Sequence, residues 1–272
     1  MRLLSGSDLA SFIKERQAKQ VRGLKQAEGI VPKLAVVLTD DNPVSRKYIS
    51  LKQRYGEDIG IELVLEETTS TEAVKTIKRL NGDPSVFGII VQLPISDPSL
   101  TEEVVKAISP EKDVDGLGST KFFDPATPVA ILWLLAGYNI SLTDKKVLLI
   151  GQGQLVGRPL KKMLENSGIT PEVADIDSDV GAMVAKAEVI VTATGQPGLL
   201  KSEMIPKGCV VVDAGTTSEG GKLVGDLDPA VYETRDDLTL TPRIGGVGPL
   251  TVCALFDNVI RSARRMAESK RK

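Results

Sequence analysis

The sequence predicts an α/β protein of two domains, each a parallel sheet layered with helices. Three observations carry this prediction. Segments of helical periodicity alternate with short apolar runs almost from end to end, the pattern of successive βαβ units. The apolar runs, such as Leu34–Thr39, lack a polar alternation, as strands buried on both faces do. Finally, the apolar stretch from about Pro128 to Tyr138 reads as a connecting helix. It separates a first set of units, ending at Lys112-Asp-Val-Asp-Gly116, from a second that begins at Val147.

The elements follow in order. Residues 7–28 carry a helical pattern, and Leu34–Thr39 a strand. Asn42-Pro43 offers an N-cap and first helical residue for an amphipathic helix with Val44, Tyr48, Leu51 and Tyr55 on one side. Gly60 ends it, and Ile61–Leu65 returns as a strand. A third helix runs from a Thr69/Ser70 cap through Ala73, Ile77 and Leu80 to the strand Phe87–Val91, after which Pro94, Pro98 and Pro110 punctuate the chain. The second set places strands at Val147–Ile150, Val173–Asp175, Val189–Thr192 and Val210–Asp213. A loop, Thr241–Pro249, precedes a last helix with Val252, Leu255, Phe256, Val259, Ile260 and Met266 as its apolar positions, and a basic tail closes the chain.

Composition narrows the function classes. Of 272 residues, 42% are hydrophobic and 26% charged, which excludes wholesale disorder. A net charge of −2 gives no general attraction to nucleic acid or anionic membrane. The absence of histidine excludes His-based zinc sites and Ser-His-Asp triads, and no metal site is expected. Cys209 and Cys253 each lie in an apolar run and are expected as reduced core thiols. The longest apolar stretch, Val129–Tyr138, falls far short of the roughly 20 residues that span a bilayer. The N-terminus turns charged too early for a signal peptide. A soluble, cytoplasmic protein is expected.

The strongest single motif is Ile150-Gly-Gln-Gly-Gln-Leu-Val-Gly157, between a predicted strand and the helix Arg158–Asn166. Its G-x-G-x-x-x-G spacing is one residue longer than the usual dinucleotide fingerprint. Glycines suit such a turn because side chains would block a pyrophosphate from the backbone, and the helix behind offers unpaired N–H groups. A tight turn without ligand is the plainer reading of the spacing alone. The strand before, the helix after and the acidic strand end Asp175-Ile-Asp177 favour a dinucleotide.

In the first half, Ser45, Tyr48 and Lys52 share one helical face, with Tyr48 and Lys52 a turn apart. A lysine whose ammonium is desolvated can act as an acid–base group, although a surface lysine over a half-buried tyrosine has the same spacing. Gln92 follows the strand ending at Val91, and Asp115 precedes Gly116. Both stand where carboxyl ends of parallel strands bind ligands; a strand-end cap and a turn former are the plainer readings of each.

Together, Tyr48-Ile-Ser-Leu-Lys52, Val91-Gln-Leu-Pro94, Lys112-Asp-Val-Asp-Gly116, Gly151-x-x-x-x-Val-Gly-x-Pro159 and Gly245-Gly-Val-Gly-Pro-Leu-Thr251, in this order, resemble the bifunctional methylenetetrahydrofolate dehydrogenase/methenyltetrahydrofolate cyclohydrolase family. The resemblance spans essentially the whole chain. It implies oxidation of 5,10-methylenetetrahydrofolate with NAD(P), then hydration of the methenyl product to 10-formyltetrahydrofolate. It implies Lys52 as the acid–base residue, Tyr48 stacking on the folate, Gln92 holding Lys52, and Asp115 on the amino edge of the pterin. Ser45, Val91, Leu93, Pro94, Gly246, Val247 and Pro249 would border the substrate. Gly151, Gln152, Gly153, Val156, Gly157, Asp177, Ser178 and Thr216 would bind the cofactor. Residues 1–125 with 250–272 would form a folate-side domain and 126–249 a Rossmann-like nucleotide domain, with a cleft between them, in a homodimer. A dehydrogenase-only member and a non-catalytic folate- or nucleotide-binding relative are the alternatives. A hydroxy-acid dehydrogenase would leave Tyr48, Lys52, Gln92 and Asp115 without a role.

Departures from the family pattern bear on the cofactor. Gly151-Gln152-Gly153 stands where the family has Gly-Arg-Ser, and Ile176-Asp177-Ser178-Asp179 where it has Cys-His-Ser-Lys/Arg. One cation is lost and two anions appear, which disfavours the 2′-phosphate of NADP by roughly 1–3 kcal/mol. Gln152, Gly153, Asp177 and Asp179 therefore predict NAD over NADP, with Arg158 and Ser178 as counter-evidence. The segment Leu117–Pro128 looks short, and Arg243 stands in a usually neutral, proline-rich turn, either reaching a folate glutamate tail or facing solvent.

Overall fold

The structure, a computed structural model, describes residues 1–118, 122–219 and 222–270. Part of the Leu117–Pro128 segment and the end of the basic tail lie outside the described residues. The first half runs β1 (Arg2–Leu3), α1 (Gly6–Glu28), β2 (Lys33–Leu38), α2 (Pro43–Ile59), β3 (Glu62–Glu67), α3 (Ala73–Gly82), β4 (Gly88–Val91), α4 (Thr101–Lys106) and α5 (Ala126–Gly137). The second runs β5 (Val147–Ile150), α6 (Gly157–Asn166), β6 (Glu172–Ala174), α7 (Val180–Val184), β7 (Val189–Thr192), β8 (Val210–Asp213), β9 (Thr217–Glu219), β10 (Lys222–Val224), α8 (Pro229–Thr234), β11 (Thr239–Leu240) and α9 (Val247–Lys270). The chain forms two compact units: Met1–Ala10 with Thr127–Thr251, and Ser11–Ala126 with Val252–Lys272.

The Ser11–Ala126 unit is built on a parallel sheet of order β3-β2-β4. β2 is central, so its apolar run is buried on both faces. Helix α2 starts as its sequence dictates. The Asn42 side chain accepts the Val44 N–H at 2.8 Å, and Pro43 occupies the first turn, where its missing N–H costs nothing. It stops at Gly60, which adopts φ 84° in the left-handed region that glycine enters without penalty. Gly56 in α2 lets the Phe256 ring of α9 approach, and Tyr55 packs on the same ring with centroids 5.2 Å apart.

The other unit holds a six-stranded parallel sheet of order β1-β11-β8-β7-β5-β6. Its core gathers Leu148, Ile150, Ile190, Val211, Leu227 and Val231. From β5 the chain passes to β6 on one side and then crosses to β7 on the other. The carboxyl end of β5 is therefore the point where strand order reverses, the place where open α/β sheets bind ligands.

Several expectations need correction. Residues 1–10 cluster with the six-stranded sheet, since β1 pairs with β11, a pairing of two-residue strands that no pattern announces. Helix α9 begins at Val247 inside the expected loop, since Pro249 fits a first helical turn. Helix α3 has Glu72 as its N-cap without a side-chain bond; Thr69 Oγ1 instead accepts the Glu72 N–H at 3.3 Å. The hairpin β9–β10 and helices α4 and α8 had no legible signal, being three to six residues each. Cys209 and Cys253 are both buried, no disulfide joins them, and burial pushes the Cys209 thiol up to about 12.

Because Phe256 is fully buried against Tyr55 and Gly56, Phe256→Ala should cost about 3–5 kcal/mol, read as a lowered urea midpoint.

Candidate active site

In the Ser11–Ala126 unit the predicted polar set is assembled around Lys52. Its Nζ donates to Gln92 Oε1 at 2.9 Å. Gln92 is 8% exposed at the end of β4, with its N–H on Val37 O at 2.9 Å and its Nε2 on Leu93 O at 3.0 Å. Both ends of the amide are thus engaged, and the oxygen is fixed toward the amine. Burial lowers the Lys52 pKa below the ordinary lysine value, and the nearby Asp115 charge opposes that shift. The Asp115 carboxyl is raised by burial, with Lys52 opposing and Asp113 adding to the rise. Tyr48, half-buried one turn before Lys52, has its phenol raised by burial. Ser45 is buried on the same helix, Val91 ends β4, and Leu93 joins Pro94 through a cis peptide.

The turn that carries Asp115 is held by residues the sequence reading did not assign. Lys112 is buried, and its Nζ donates to the carbonyls of Leu80 (3.0 Å), Asn81 (2.9 Å) and Asp83 (2.6 Å), satisfying the end of α3. Asp113, not Asp115, is the turn former. Its carboxylate accepts the N–H groups of Gly116 (3.1 Å), Leu117 (3.4 Å) and Gly118 (2.7 Å). Asn258 of α9 donates to Val114 O at 2.9 Å and Asp124 O at 3.0 Å. The Asp115 carboxylate is left out of this bonding and acts on Lys52.

In the other unit, Gly151 and Gly157 make the turn between β5 and α6. Gly151 adopts φ 98°, and a Cβ there would lie 2.8 Å from Ala193 O. A Cβ on Gly157 would overlap the Gly151 carbonyl. Gln152 donates from Nε2 to Gly151 O at 3.0 Å; Gly153 is exposed and Val156 is the N-cap of α6. The loop after β7, which packs on this turn, is anchored by the buried Asp226. That carboxylate accepts Thr192 Oγ1 at 2.5 Å and Thr194 N–H at 2.8 Å. Asp213 beside it accepts the N–H groups of Gly215, Asp226 and Leu227, and burial pushes its carboxyl up to about 6.

Asp177 and Ser178 lie just past β6, Asp179 caps α7 by accepting Ala182 N–H at 3.0 Å, and Thr216 is exposed before β9. Gly246 is buried ahead of α9, and Val247 and Pro249 sit in its first turn. Arg243 is exposed and pinned to its own unit. It donates to Pro229 O at 2.7 Å and to Glu233 at 3.2 Å, with its guanidinium over the Tyr232 ring.

A glycine cradle with no room for a Cβ, at the reversal point of a parallel sheet, fits a dinucleotide pyrophosphate. With a hydrogen-bonded lysine amine whose pKa burial lowers on the other unit, the fold and the turn fit a nucleotide-dependent α/β enzyme of two domains. Comparison with known proteins makes this specific. Residues 4–115 match the tetrahydrofolate dehydrogenase/cyclohydrolase catalytic-domain model, and residues 125–267 match the NAD(P)-binding-domain model of that family. The Bifunctional protein FolD of Campylobacter jejuni is 38% identical over 97% of this chain and 99% of its own length. The crystal structure of the C. jejuni bifunctional methylenetetrahydrofolate dehydrogenase/cyclohydrolase superposes with a TM-score of 0.90 at 35% identity, covering 98% and 99% of the two chains. A Trypanosoma brucei dehydrogenase-cyclohydrolase, solved with NADP and an inhibitor, gives 0.88 at 27% identity over 97% of each chain. The chain belongs to the tetrahydrofolate dehydrogenase/cyclohydrolase family.

Gly157→Ala should weaken NAD(P)H binding at least tenfold by fluorescence titration if this turn receives the pyrophosphate, since the added methyl would overlap the Gly151 carbonyl.

Proposed function

We propose that the protein oxidises 5,10-methylenetetrahydrofolate to the 5,10-methenyl form with NAD(P)+ and hydrolyses that product to 10-formyltetrahydrofolate. The observation that carries this reading is the Lys52–Gln92 bond, a desolvated amine held at a strand end beside Asp115. In oxidation the dinucleotide held at the glycine turn would supply the acceptor for a hydride from the one-carbon methylene. The protein contributes orientation: Tyr48 stacks on the folate, Asp115 binds the amino edge of the pterin, and Ser45, Val91, Leu93 and Pro94 border it. Gly246, Val247 and Pro249 are assigned to the same substrate.

Hydrolysis needs a proton relay. As the water oxygen bonds to the methenyl carbon, neutral Lys52 takes one of its protons. As the ring C–N bond breaks, Lys52 returns that proton to the departing nitrogen, and the second water proton leaves to solvent as the formyl carbonyl forms. Gln92 Oε1 aims the amine throughout. Gly151, Gln152, Gly153, Val156, Gly157, Asp177, Ser178 and Thr216 hold the cofactor. We assign NAD as the preferred dinucleotide, because Gln152 and Gly153 offer no charge to a 2′-phosphate and Asp177 and Asp179 repel one. A cytoplasmic homodimer is the working form in this reading.

Lys52→Met should reduce hydrolysis of methenyltetrahydrofolate at least ~100-fold while dehydrogenase activity stays measurable; unchanged hydrolysis would refute the relay. Only neutral Lys52 accepts the proton, so hydrolysis should rise with pH along a limb below the ordinary lysine value, as burial dictates. Asp177→Ser with Gln152→Arg should move the NADP:NAD ratio of kcat/KM toward NADP by about tenfold, compared by initial rates.

A further inference from the structure

Three neighbouring strands, β5, β7 and β8, deliver their loops to the carboxyl edge of the six-stranded sheet. A residue outside all three loops ties two of them together. Asp226, just past β10, is fully buried, and its Oδ2 accepts Thr192 Oγ1 at 2.5 Å and Thr194 N–H at 2.8 Å. Those two bonds flank Ala193, whose carbonyl oxygen is the atom that a Cβ on Gly151 would meet at 2.8 Å. Ala193 N–H itself donates to Ile150 O at 2.9 Å, so the residue that packs on the glycine turn is fixed on both sides. Toward the loop after β8, the Asp226 N–H donates to Asp213 Oδ1 at 3.1 Å, and a Cβ on Gly215 would overlap Asp226 Oδ1. That Oδ1 is buried and accepts no hydrogen bond among the described residues. Burial pushes the Asp213 carboxyl up to about 6, and the Asp226 charge adds to the rise. An orphaned oxygen beside a second buried acid costs stability, so packing alone does not account for an aspartate here.

We infer that Asp226 is a positioning residue for the dinucleotide: by holding Thr192 and Thr194 it seats Ala193 against the glycine turn and so fixes the shape of the cradle. The inference rests on the assignment of that turn to the cofactor proposed above, and deepens it. A pyrophosphate bound by backbone N–H groups depends on where the backbone lies, because no flexible side chain can reach out to correct an error. The glycine turn has no Cβ of its own to wedge it in place, so its walls must come from the loop beside it. Asp226 holds that wall through a single oxygen. What the latch needs is therefore an acceptor at Oδ2, not a negative charge. An amide meets that need, and its nitrogen would replace the orphaned Oδ1, removing a like charge from beside Asp213. A side chain with no acceptor meets neither.

The experiment measures Kd for NADH and NADPH by fluorescence titration, KM for methylenetetrahydrofolate and melting temperature, in the full-length protein and three variants. Asp226→Ala frees Thr192 and Thr194 and should raise Kd for the tighter dinucleotide about tenfold, with the folate KM moving less than about twofold. Asp226→Asn restores the acceptor and should recover most of that loss, while melting no lower than the starting protein. Thr192→Val deletes one of the two bonds at little change of volume, which keeps the test decisive should Asp226→Ala fail to fold; it should raise the same Kd about threefold. A Kd unmoved in Thr192→Val overturns the inference. So does a loss as large in Asp226→Asn as in Asp226→Ala, or a folate KM that rises in step with Kd, because charge or general loosening would then be acting. Gly157→Ala separates this inference from the reading beneath it. Undiminished dinucleotide binding there sinks the assignment of the turn, whereas weakened binding there with Thr192→Val unaffected sinks the role of Asp226 alone.

Discussion

In the proposed reaction the chemistry depends on one part-buried hydrogen bond, from Lys52 Nζ to Gln92 Oε1. An amine in water is protonated far above neutrality and makes a poor base. Removing it from water lowers the cost of the neutral form, but an unpaired buried amine would seek another partner. Gln92 resolves this because an amide oxygen accepts from an amine in either charge state, whereas a carboxylate would hold the ammonium. Asp115 supplies that opposing charge only through space, since its carboxylate is not the bonded acceptor. The amine therefore meets a neutral acceptor at bonding distance and an opposing charge only through space.

The rest of the Ser11–Ala126 unit can be understood as what keeps this arrangement still. Gln92 is fixed by β4, which pairs with β2 over four residues, and β2 also anchors the turn into α2. Asp115 is fixed by its neighbours, not by its own side chain: Asp113 closes the turn, Lys112 joins it to α3, and Asn258 clamps it from α9. These polar groups are buried and bonded, so each would leave stranded carbonyls or N–H groups if replaced by an apolar residue.

That division explains how much was legible in the sequence. Strands β5, β7 and β8, the start and end of α2, and the glycine turn follow from local rules: apolar runs, an Asn-Pro cap, glycine where φ is positive. Lys52, Gln92 and Asp115 were legible because all three fall at strand ends or on a helix face of fixed period. Lys112 and Asp113 were visible only as part of a motif. Which of two aspartates closes a turn and which faces an amine is decided by backbone direction, and Lys-Asp-Val-Asp does not encode that in any period. The pairing of residues 1–10 with the six-stranded sheet was not legible for a related reason. A two-residue strand pairs with one 237 positions away, and no local pattern reports such a partner.

The two units also show the same site position used in opposite ways. Around Lys52, charge is provided by side chains, and the backbone only places them. The glycine turn offers backbone alone: a Cβ on Gly151 or Gly157 would meet other backbone atoms, and Asp213 and Asp226 turn inward onto N–H groups. The acids past β6 differ, because Asp177 stays open to solvent. Within one unit, then, buried aspartates brace the loops beside the glycine turn, and Asp177 stays exposed past β6. Residue type alone does not separate these roles; burial and hydrogen-bond partners do.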